Sequence, residues 1–123
     1  MKNLQKQNFF KTFENAFTGI FLVIKKERNF QIEIFALFVN IFLIYYFELN
    51  AAETSIILIV CFVVLVAEML NTALEKMADF VEPNFNSKIG IIKDIAAGAV
   101  LMAAIGAVII GIIIYQHYIM EFF

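Results

Sequence analysis

Apolar positions recur along the chain in two patterns, and each pattern predicts a different kind of helix. Between residues 8 and 25 the apolar side chains are spaced three or four apart, with polar side chains between them, as in an amphipathic helix. Three later runs, at residues 29–49, 54–81 and 94–119, approach or exceed the roughly 20 residues that cross a bilayer. The pattern predicts an all-α integral membrane protein with three transmembrane helices and an N-terminal amphipathic interfacial helix.

The connections between these runs are short. Residues 48–53 carry two acids and no basic residue between the first and second spans. Residues 82–93 contain Pro83, two asparagines and Gly90, which predicts a loop, with Pro83 ending the preceding helix at about Glu82. We therefore expect residues 1–123 to form a single membrane domain, in which any chemistry is carried out by the membrane helices and their connections.

Composition supports this class and excludes others. The chain is 63% hydrophobic and 16% charged, with a mean hydropathy of +0.87, which lies outside the usual range of soluble domains. The single cysteine, Cys61, lies inside an apolar run, so a disulfide framework is excluded and a small core residue is expected.

The basic residues give an orientation. All nine lie before the first span or between the second and third spans, regions that the positive-inside rule places in the cytoplasm. The N-terminus is then cytoplasmic, and the C-terminus lies outside, as three spans require. The nine are Lys2, Lys6, Lys11, Lys25, Lys26, Arg28, Lys76, Lys88 and Lys93.

Polar side chains form a stripe on the second span. Glu68, Asn71, Glu75 and Asp79 are spaced three and four apart, so they share one face of a helix. Glu68 falls roughly 21 Å along a helix that begins at Thr54, near the inner boundary of the hydrocarbon layer. A carboxylate facing acyl chains costs about 2.5 to 3.5 kcal/mol at mid-bilayer, so a functional role is favoured for Glu68.

Plainer interpretations are favoured at other positions. Asp79 and Glu82 are expected to be the solvated end of the second helix. Ala99, Ala103, Ala107 and Gly111 repeat at intervals of four, which indicates close helix packing rather than a site; His117, at the far end of the third span, is expected to be an interfacial anchor.

The spacing alone leaves the chemistry of the stripe open. Two carboxylates and an amide could bind Mg²⁺ through oxygen atoms, but one helix supplies too few ligands, so Glu27, Glu33 or another subunit would have to contribute. Lys93, three residues after Gly90, could bind a phosphate group, or the Lys93-Asp94 pair could be an ordinary charged helix start. No Walker-type glycine loop is present in the sequence.

The segment EMLNTALE at residues 68–75, followed by Asp79, the Lys93-Asp94 pair and AAGAVL at residues 96–101, resembles the small prokaryotic diacylglycerol kinases and undecaprenol kinases. The resemblance extends from about Phe10 to Tyr115. It implies a homotrimer in the bacterial inner membrane, with composite active sites at subunit boundaries on the cytoplasmic face. ATP would be the phosphoryl donor, Mg²⁺ the cofactor and a membrane lipid alcohol the acceptor.

The resemblance also implies roles for individual residues. Glu68 would take the proton of the lipid hydroxyl group, and Asn71 would orient the reacting groups. Glu27 and Glu75 would hold the Mg²⁺ bound to ATP. On the nucleotide side it implies Glu27, Glu75, Asn86, Gly90, Lys93 and Asp94, with Lys93 neutralising phosphate charge; on the lipid side it implies Lys11, Phe30, Glu33, Glu68 and Ala97.

Two positions depart from the family pattern. Asn8 stands where the family often has an arginine, which leaves Lys11 as the nearest cation, and Asn86 replaces a histidine before the Lys-Asp pair. Both branches of the family share the catalytic residues, so these residues do not identify the acceptor. Diacylglycerol is the first expectation for the acceptor, and undecaprenol is the alternative. Two hypotheses of other classes are a small oligomeric cation or proton channel and a structural or regulatory membrane subunit.

Overall fold

The structure, a computed structural model, describes residues 8–123, and within that range all its regular secondary structure is α-helical. The helices are α1 (Phe9–Lys26), α2 (Arg28–Tyr46), α3 (Ala51–Val81) and α4 (Ser87–Phe122). Helices α2, α3 and α4 are each long and apolar enough to cross a membrane, which confirms the predicted fold class. Lys2 and Lys6, counted among the basic residues, lie outside the described range.

The turn between α2 and α3 is tighter than predicted. Helix α2 ends at Tyr46 rather than at residue 49, because Glu48 adopts a positive φ of 56° that a helix cannot continue. Helix α3 begins at Ala51 rather than at Thr54. The Asn50 side chain accepts from the Glu53 backbone N–H at 2.8 Å, and the Glu53 carboxylate accepts from the Asn50 N–H at 3.4 Å, which is a complete capping box.

The predicted loop at residues 82–93 is wrong from residue 87 onward. Helix α3 does end at Val81, just before Pro83, but α4 begins at Ser87 instead of Asp94. The side chain of Asn86 accepts hydrogen bonds from the backbone N–H groups of Lys88 and Ile89, and this cap starts the helix early. Gly90, Lys93 and Asp94 therefore lie on a helix.

The two ends of the bundle differ in charge. The end that carries the α1–α2 corner and the α3–α4 loop also carries Lys25, Lys26, Arg28, Lys88 and Lys93, and we refer to it as the basic end. The opposite end carries the turn at residues 47–50, and we refer to it as the turn end. Helix α3 contacts both α2 and α4, and α1 contacts α2, so α3 is the central element of the protomer.

A small hydrophobic core joins α1, α2 and α3. Val23, Phe30 and Leu65 are buried together, with Ile24 and Met69 packed against them. Phe30 has only 3% of its surface exposed. Many large apolar side chains elsewhere on the spans are exposed, as expected for helices that face lipid or further protein.

Hydrogen bonds tie the helices together nearer the turn end. Tyr115 on α4 donates its hydroxyl to the Asn40 side chain on α2 at 2.8 Å. Tyr118 donates to the Glu53 carboxylate, and His117 Nε2 lies 3.7 Å from the other Glu53 oxygen. His117, predicted as an interfacial anchor, thus also contacts the start of α3.

We expect Glu53→Gln to destabilise the turn end. The substitution removes the negative charge that accepts from Tyr118 and from the Asn50 N–H, and hydrogen bonds to charged groups contribute more than neutral ones. Thermal unfolding in detergent should show a midpoint lowered by several degrees. Glu48→Gln, in the same turn and exposed, is the matched control; an equal loss in both variants would contradict the role of Glu53.

Candidate active site

The buried carboxyl group of Glu68 is the centre of the site. Glu68 lies on α3 facing α2, and only 4% of its surface is exposed. The side-chain amide of Asn29, at the start of α2, lies against this carboxyl group. The carboxyl groups of Glu33, Glu75 and Glu27 are close enough to act on it electrostatically. Glu68 is therefore the buried member of a group of four acidic side chains from α2, α3 and the α1–α2 corner, which we call the acidic cluster.

The hydrophobic core holds the two sides of this cluster in register. Phe30 packs against Val23 and Leu65, so the first turn of α2 is fixed against α3 one turn before Glu68. Glu27 occupies the corner between α1 and α2 in an extended conformation, and its N–H donates to the Val23 carbonyl at 2.9 Å. The core therefore fixes the corner that carries Glu27 and the first turns of α2 that carry Glu33 against the part of α3 that carries Glu68.

Asn71 is incompletely satisfied. Its side-chain N–H₂ donates to Glu75 at 3.5 Å, a long hydrogen bond. Its Oδ1 is buried and has no hydrogen-bond partner within residues 8–123. A buried acceptor without a partner is costly, so Asn71 is a polar position of α3 that the packing of this protomer does not satisfy.

Lys93 links α4 to the end of α3. Its Nζ lies 2.5 Å from Asp79 Oδ1. Asp79 is exposed, as expected for a solvated helix end, and it also forms an ion pair with Lys93, the residue predicted to bind phosphate. Asp79 lies one helical turn beyond Glu75, about 6 Å along the axis, so the Lys93 ammonium group is held at that level of the stripe.

The oxygen atoms at the site fit a divalent cation that arrives with phosphate groups. No cluster of three or more His, Cys, Asp or Glu ligands suited to a metal is found over the described range. Mg²⁺ is usually bound through one or two carboxylates together with substrate phosphates and water rather than by a complete protein cage. Glu27 and Glu75, both partly exposed beside Glu68, fit that mode of binding.

Other residues implied by the resemblance are more loosely connected to this cluster. Phe30 is buried in the core, so it positions the site and offers no free surface to a lipid. Asn86 uses its side-chain oxygen to cap α4. Lys11 is exposed beside Glu14, about 22 Å along α1 from its last residue, and Ala97 is exposed on α4.

Gly90 and Asp94 lie on the first turns of α4, on either side of Lys93 in the sequence. Asp94 is exposed, and Gly90 is partly exposed. A Cβ atom at Gly90 would meet nothing within 4 Å, so the open space there leaves room for a ligand against the helix backbone. Both residues lie near Lys93 on α4, as expected. The binding of phosphate by Lys93 remains a prediction.

Two polar residues of the site were not singled out as site residues in the sequence. Asn29 precedes Glu33 by four residues, so it shares a helix face with an expected site residue, and that spacing could have indicated it. Thr72 follows Glu68 by one turn and is equally buried, but a threonine within an apolar helix carries little signal by itself.

The fold and the site define a three-span membrane protein with an acidic cluster beside a lysine at its basic end. The model of the prokaryotic diacylglycerol kinase family matches residues 14–115, and the chain belongs to this family, as its sequence predicted.

Two relatives resemble the chain to a similar degree. The chain is 36% identical to a diacylglycerol kinase of Synechocystis sp. (strain ATCC 27184 / PCC 6803 / Kazusa) over 105 residues, which are 85% of this chain and 60% of that protein. It is 35% identical to an undecaprenol kinase of Bacillus subtilis (strain 168) over 107 residues, 87% of each chain. The chain therefore spans less than two thirds of the first relative and most of the second.

Proposed function

We propose that the protein is a lipid kinase that transfers the γ-phosphate of Mg-ATP to the hydroxyl group of a membrane lipid alcohol, with diacylglycerol as the first candidate acceptor. The observation that carries the proposal is the Glu68 carboxyl group, which is buried on a membrane-spanning helix within electrostatic range of Glu27, Glu33 and Glu75. A base that is buried on a membrane-spanning helix does not suit an acceptor dissolved in water. An enzyme whose acceptor hydroxyl lies at the membrane interface requires that placement.

The residues divide the work of phosphoryl transfer between two levels of α3. Glu68 accepts the proton of the acceptor hydroxyl group as its oxygen attacks phosphorus, with Asn29 orienting the carboxylate. Asn71, whose side-chain N–H₂ donates to Glu75, orients that carboxylate toward the reactants. About three turns beyond Glu68, at the level of Asp79, Lys93 supplies positive charge for the phosphate groups.

Glu27 and Glu75 would hold Mg²⁺, which supplies neutralisation of phosphate charge when it is bound with the nucleotide. The same two carboxylates would otherwise repel a triphosphate, so the acidic cluster favours the metal complex over free ATP. This accounts for an acidic site in an enzyme whose donor substrate is an anion.

Orientation and assembly are also part of the proposal. The positive-inside rule supports a cytoplasmic basic end, where ATP is available, in the bacterial inner membrane. A homotrimer with sites shared between subunits would place a second copy against the apolar face of α3 that carries Leu58, Phe62, Val66 and Leu70. In a protomer whose central helix has such a free face, a second copy could complete the site.

The deciding experiment measures transfer of labelled γ-phosphate from Mg-ATP to diacylglycerol and, separately, to undecaprenol in mixed micelles. Phosphorylation of either lipid supports the proposal, and the ratio of kcat/KM values identifies the preferred acceptor. Absence of transfer to both lipids would overturn it. A cation or proton channel, the hypothesis of another class, predicts ion flux in liposomes without any phosphorylated lipid.

Undecaprenol is the second candidate because of the extent of the match to the Bacillus subtilis protein. That match covers 87% of both chains, whereas the match to the Synechocystis protein covers only 60% of the latter. The acidic cluster acts on the hydroxyl group and the phosphates, so it does not discriminate between the two lipids. Discrimination must come from the surfaces that bind the hydrocarbon part.

We expect Lys93→Met to raise the KM for ATP and to lower kcat, together reducing kcat/KM by at least about a hundredfold, because a charge aimed at the phosphates is lost. The rate should be measured at saturating lipid while Mg-ATP is varied. Asp79→Asn is the comparison, since it removes the partner of Lys93 but leaves the ammonium group in place, so its effect should be much smaller. Equal losses in the two variants would show that the ion pair is structural only.

A further inference from the structure

One side chain of α2 closes the corner between α1 and α2. The last carbonyl groups of a helix have no N–H partner further along that helix, so other groups must satisfy them. The side-chain amide of Gln31 donates to the Ile24 carbonyl at 2.8 Å and to the Lys25 carbonyl at 3.3 Å, both in the last turn of α1. Gln31 therefore satisfies the end of one helix while it belongs to the next.

The backbone of the same residue also takes part in the corner. The Gln31 N–H donates to the Glu27 carbonyl at 3.1 Å, and the Glu27 N–H donates to the Val23 carbonyl at 2.9 Å. Glu27 is the N-cap of α2, yet its side chain makes no capping hydrogen bond, whereas Asn50 and Asn86 cap α3 and α4 with theirs. The Glu27 carboxylate is therefore available to a ligand, and Gln31 supplies the restraint that a capping side chain supplies at the other helix starts.

Packing holds the inner side of the corner, and Gln31 holds its outer side. Val23 and Phe30 are buried against Leu65 of α3, which fixes the inner side. Gln31 is exposed, and its two side-chain hydrogen bonds join α1 to α2 on the side away from this core. Glu27 connects the two helices in an extended conformation that neither helix imposes. A change in the angle between α1 and α2 would therefore turn Glu27, and the bonds from Gln31 oppose that change.

We propose that Gln31 is a positioning residue for the Mg-ATP site, whose side-chain amide clamps α1 to α2 and so fixes the direction in which the Glu27 carboxylate points. The inference rests on the proposed lipid kinase function and adds to it a residue that contacts neither reactant. Groups that orient a metal ligand affect metal affinity although they do not touch the metal. Loss of the clamp widens the range of corner angles, so the Glu27 carboxylate spends less time in the orientation that binds Mg²⁺. Glu68, on α3, keeps its place.

The first test measures the corner itself and needs neither metal nor substrate. Spin labels are attached through Phe13→Cys on α1 and Phe42→Cys on α2, both exposed positions, in a protein in which Cys61 is replaced by alanine. Double electron–electron resonance gives the distribution of distances between the labels, with an excess of unlabelled protein so that only distances within one chain are recorded. Gln31→Met keeps the length of the side chain but cannot donate, so the distribution should broaden.

Two further variants make this measurement specific. Gln116→Met makes the same change at an exposed position of α4 near the turn end, and its distribution should match that of the wild type. Gln31→Arg restores a donor that can reach the same carbonyl groups, and it should restore the narrow distribution. An unchanged distribution in Gln31→Met would overturn the clamp. Equal broadening in Gln31→Arg would show that donation to the α1 carbonyl groups is not what holds the corner.

The second test measures the Mg²⁺ dependence of lipid phosphorylation. We expect Gln31→Met to raise the Mg²⁺ concentration for half-maximal rate about fivefold, as for the loss of one or two hydrogen bonds, with kcat at saturating Mg²⁺ within about twofold of the wild type. In a Glu27→Gln protein the same substitution should add nothing, because Gln31 acts through Glu27. An equal effect with and without the Glu27 carboxylate would show that Gln31 is only structural.

The outcomes separate this inference from the function itself. If the wild type phosphorylates neither diacylglycerol nor undecaprenol, the proposed function fails, while the distance measurement still decides whether Gln31 holds the corner. If the wild type is active and Gln31→Met keeps the wild-type Mg²⁺ dependence, the positioning role is overturned and the proposed function stands.

Discussion

Glu68→Gln is expected to lower kcat for lipid phosphorylation by about 10²- to 10⁴-fold, the contribution of a positioned general base. The amide keeps the size of the side chain but cannot take the proton of the attacking hydroxyl group. Because Glu27, Glu33 and Glu75 all repel a charge at this position, the substitution should leave the thermal midpoint of the purified protein unchanged or raise it. The measurement pairs single-turnover phosphorylation with thermal unfolding of the same preparation.

The matched control for Glu68 is Glu82→Gln. Glu82 lies at the end of the same helix, where its side chain accepts only from the nearby Asn84 N–H, and it is outside the acidic cluster. Its loss should leave kcat within a factor of about two of the wild type, as for a surface substitution. Near-normal turnover by Glu68→Gln would show that the base is misassigned, and a large fall in its midpoint would show that the side chain is needed for folding.

Glu75→Gln is expected to raise the Mg²⁺ concentration needed for half-maximal rate by at least about tenfold, because an ionised carboxylate is a far stronger ligand for this cation than an amide. The rate should be recorded at saturating lipid and nucleotide while Mg²⁺ is titrated. Glu27→Gln should behave in the same way, since both carboxyl groups lie close to Glu68 on the side of the site assigned to the metal.

A double-substitution cycle tests whether Glu27 and Glu75 share one cation. If they do, the effects of the two single substitutions on Mg²⁺ dependence will not add, because the second loss acts on a site that the first has already weakened. Strict additivity would place the two carboxylates at separate ions. An unchanged Mg²⁺ dependence in both single variants would show that the metal does not bind at this part of the protein.

Hydrophobic periodicity was sufficient for the number and type of helices, because the bilayer imposes both length and composition on a span. It failed at boundaries set by individual hydrogen bonds. The capping box of Asn50 with Glu53 starts α3 before the apolar run begins, and the cap by Asn86 extends α4 back through residues that are typical of a loop. Such caps depend on one side chain each, whereas hydropathy is an average over many.

The candidate site was predicted only in part, because part of it depends on contacts between helices. Glu68, Asn71 and Glu75 share one helix, so spacing alone placed them together. The proximity of Glu27 and Glu33 to Glu68 depends on how α2 packs against α3. The need for further metal ligands made them candidates, and the family resemblance then placed them at the site. The pairing of Asp79 with Lys93 and the approach of Asn29 to Glu68 require the register between different helices, which periodicity does not encode.

The early start of α4 has a mechanical consequence. Helices α3 and α4 run without interruption from the membrane span into the region that holds Lys93 and Asp79, and at 1.5 Å per residue they are about 46 and 54 Å long. Both exceed the roughly 30 Å thickness of the hydrocarbon layer, and no flexible segment separates their membrane part from their projecting part. A thicker or thinner bilayer that changes the tilt of these helices will therefore displace the end that carries Lys93 and Asp79, and turnover in reconstituted vesicles should depend on the acyl length of the surrounding phospholipid.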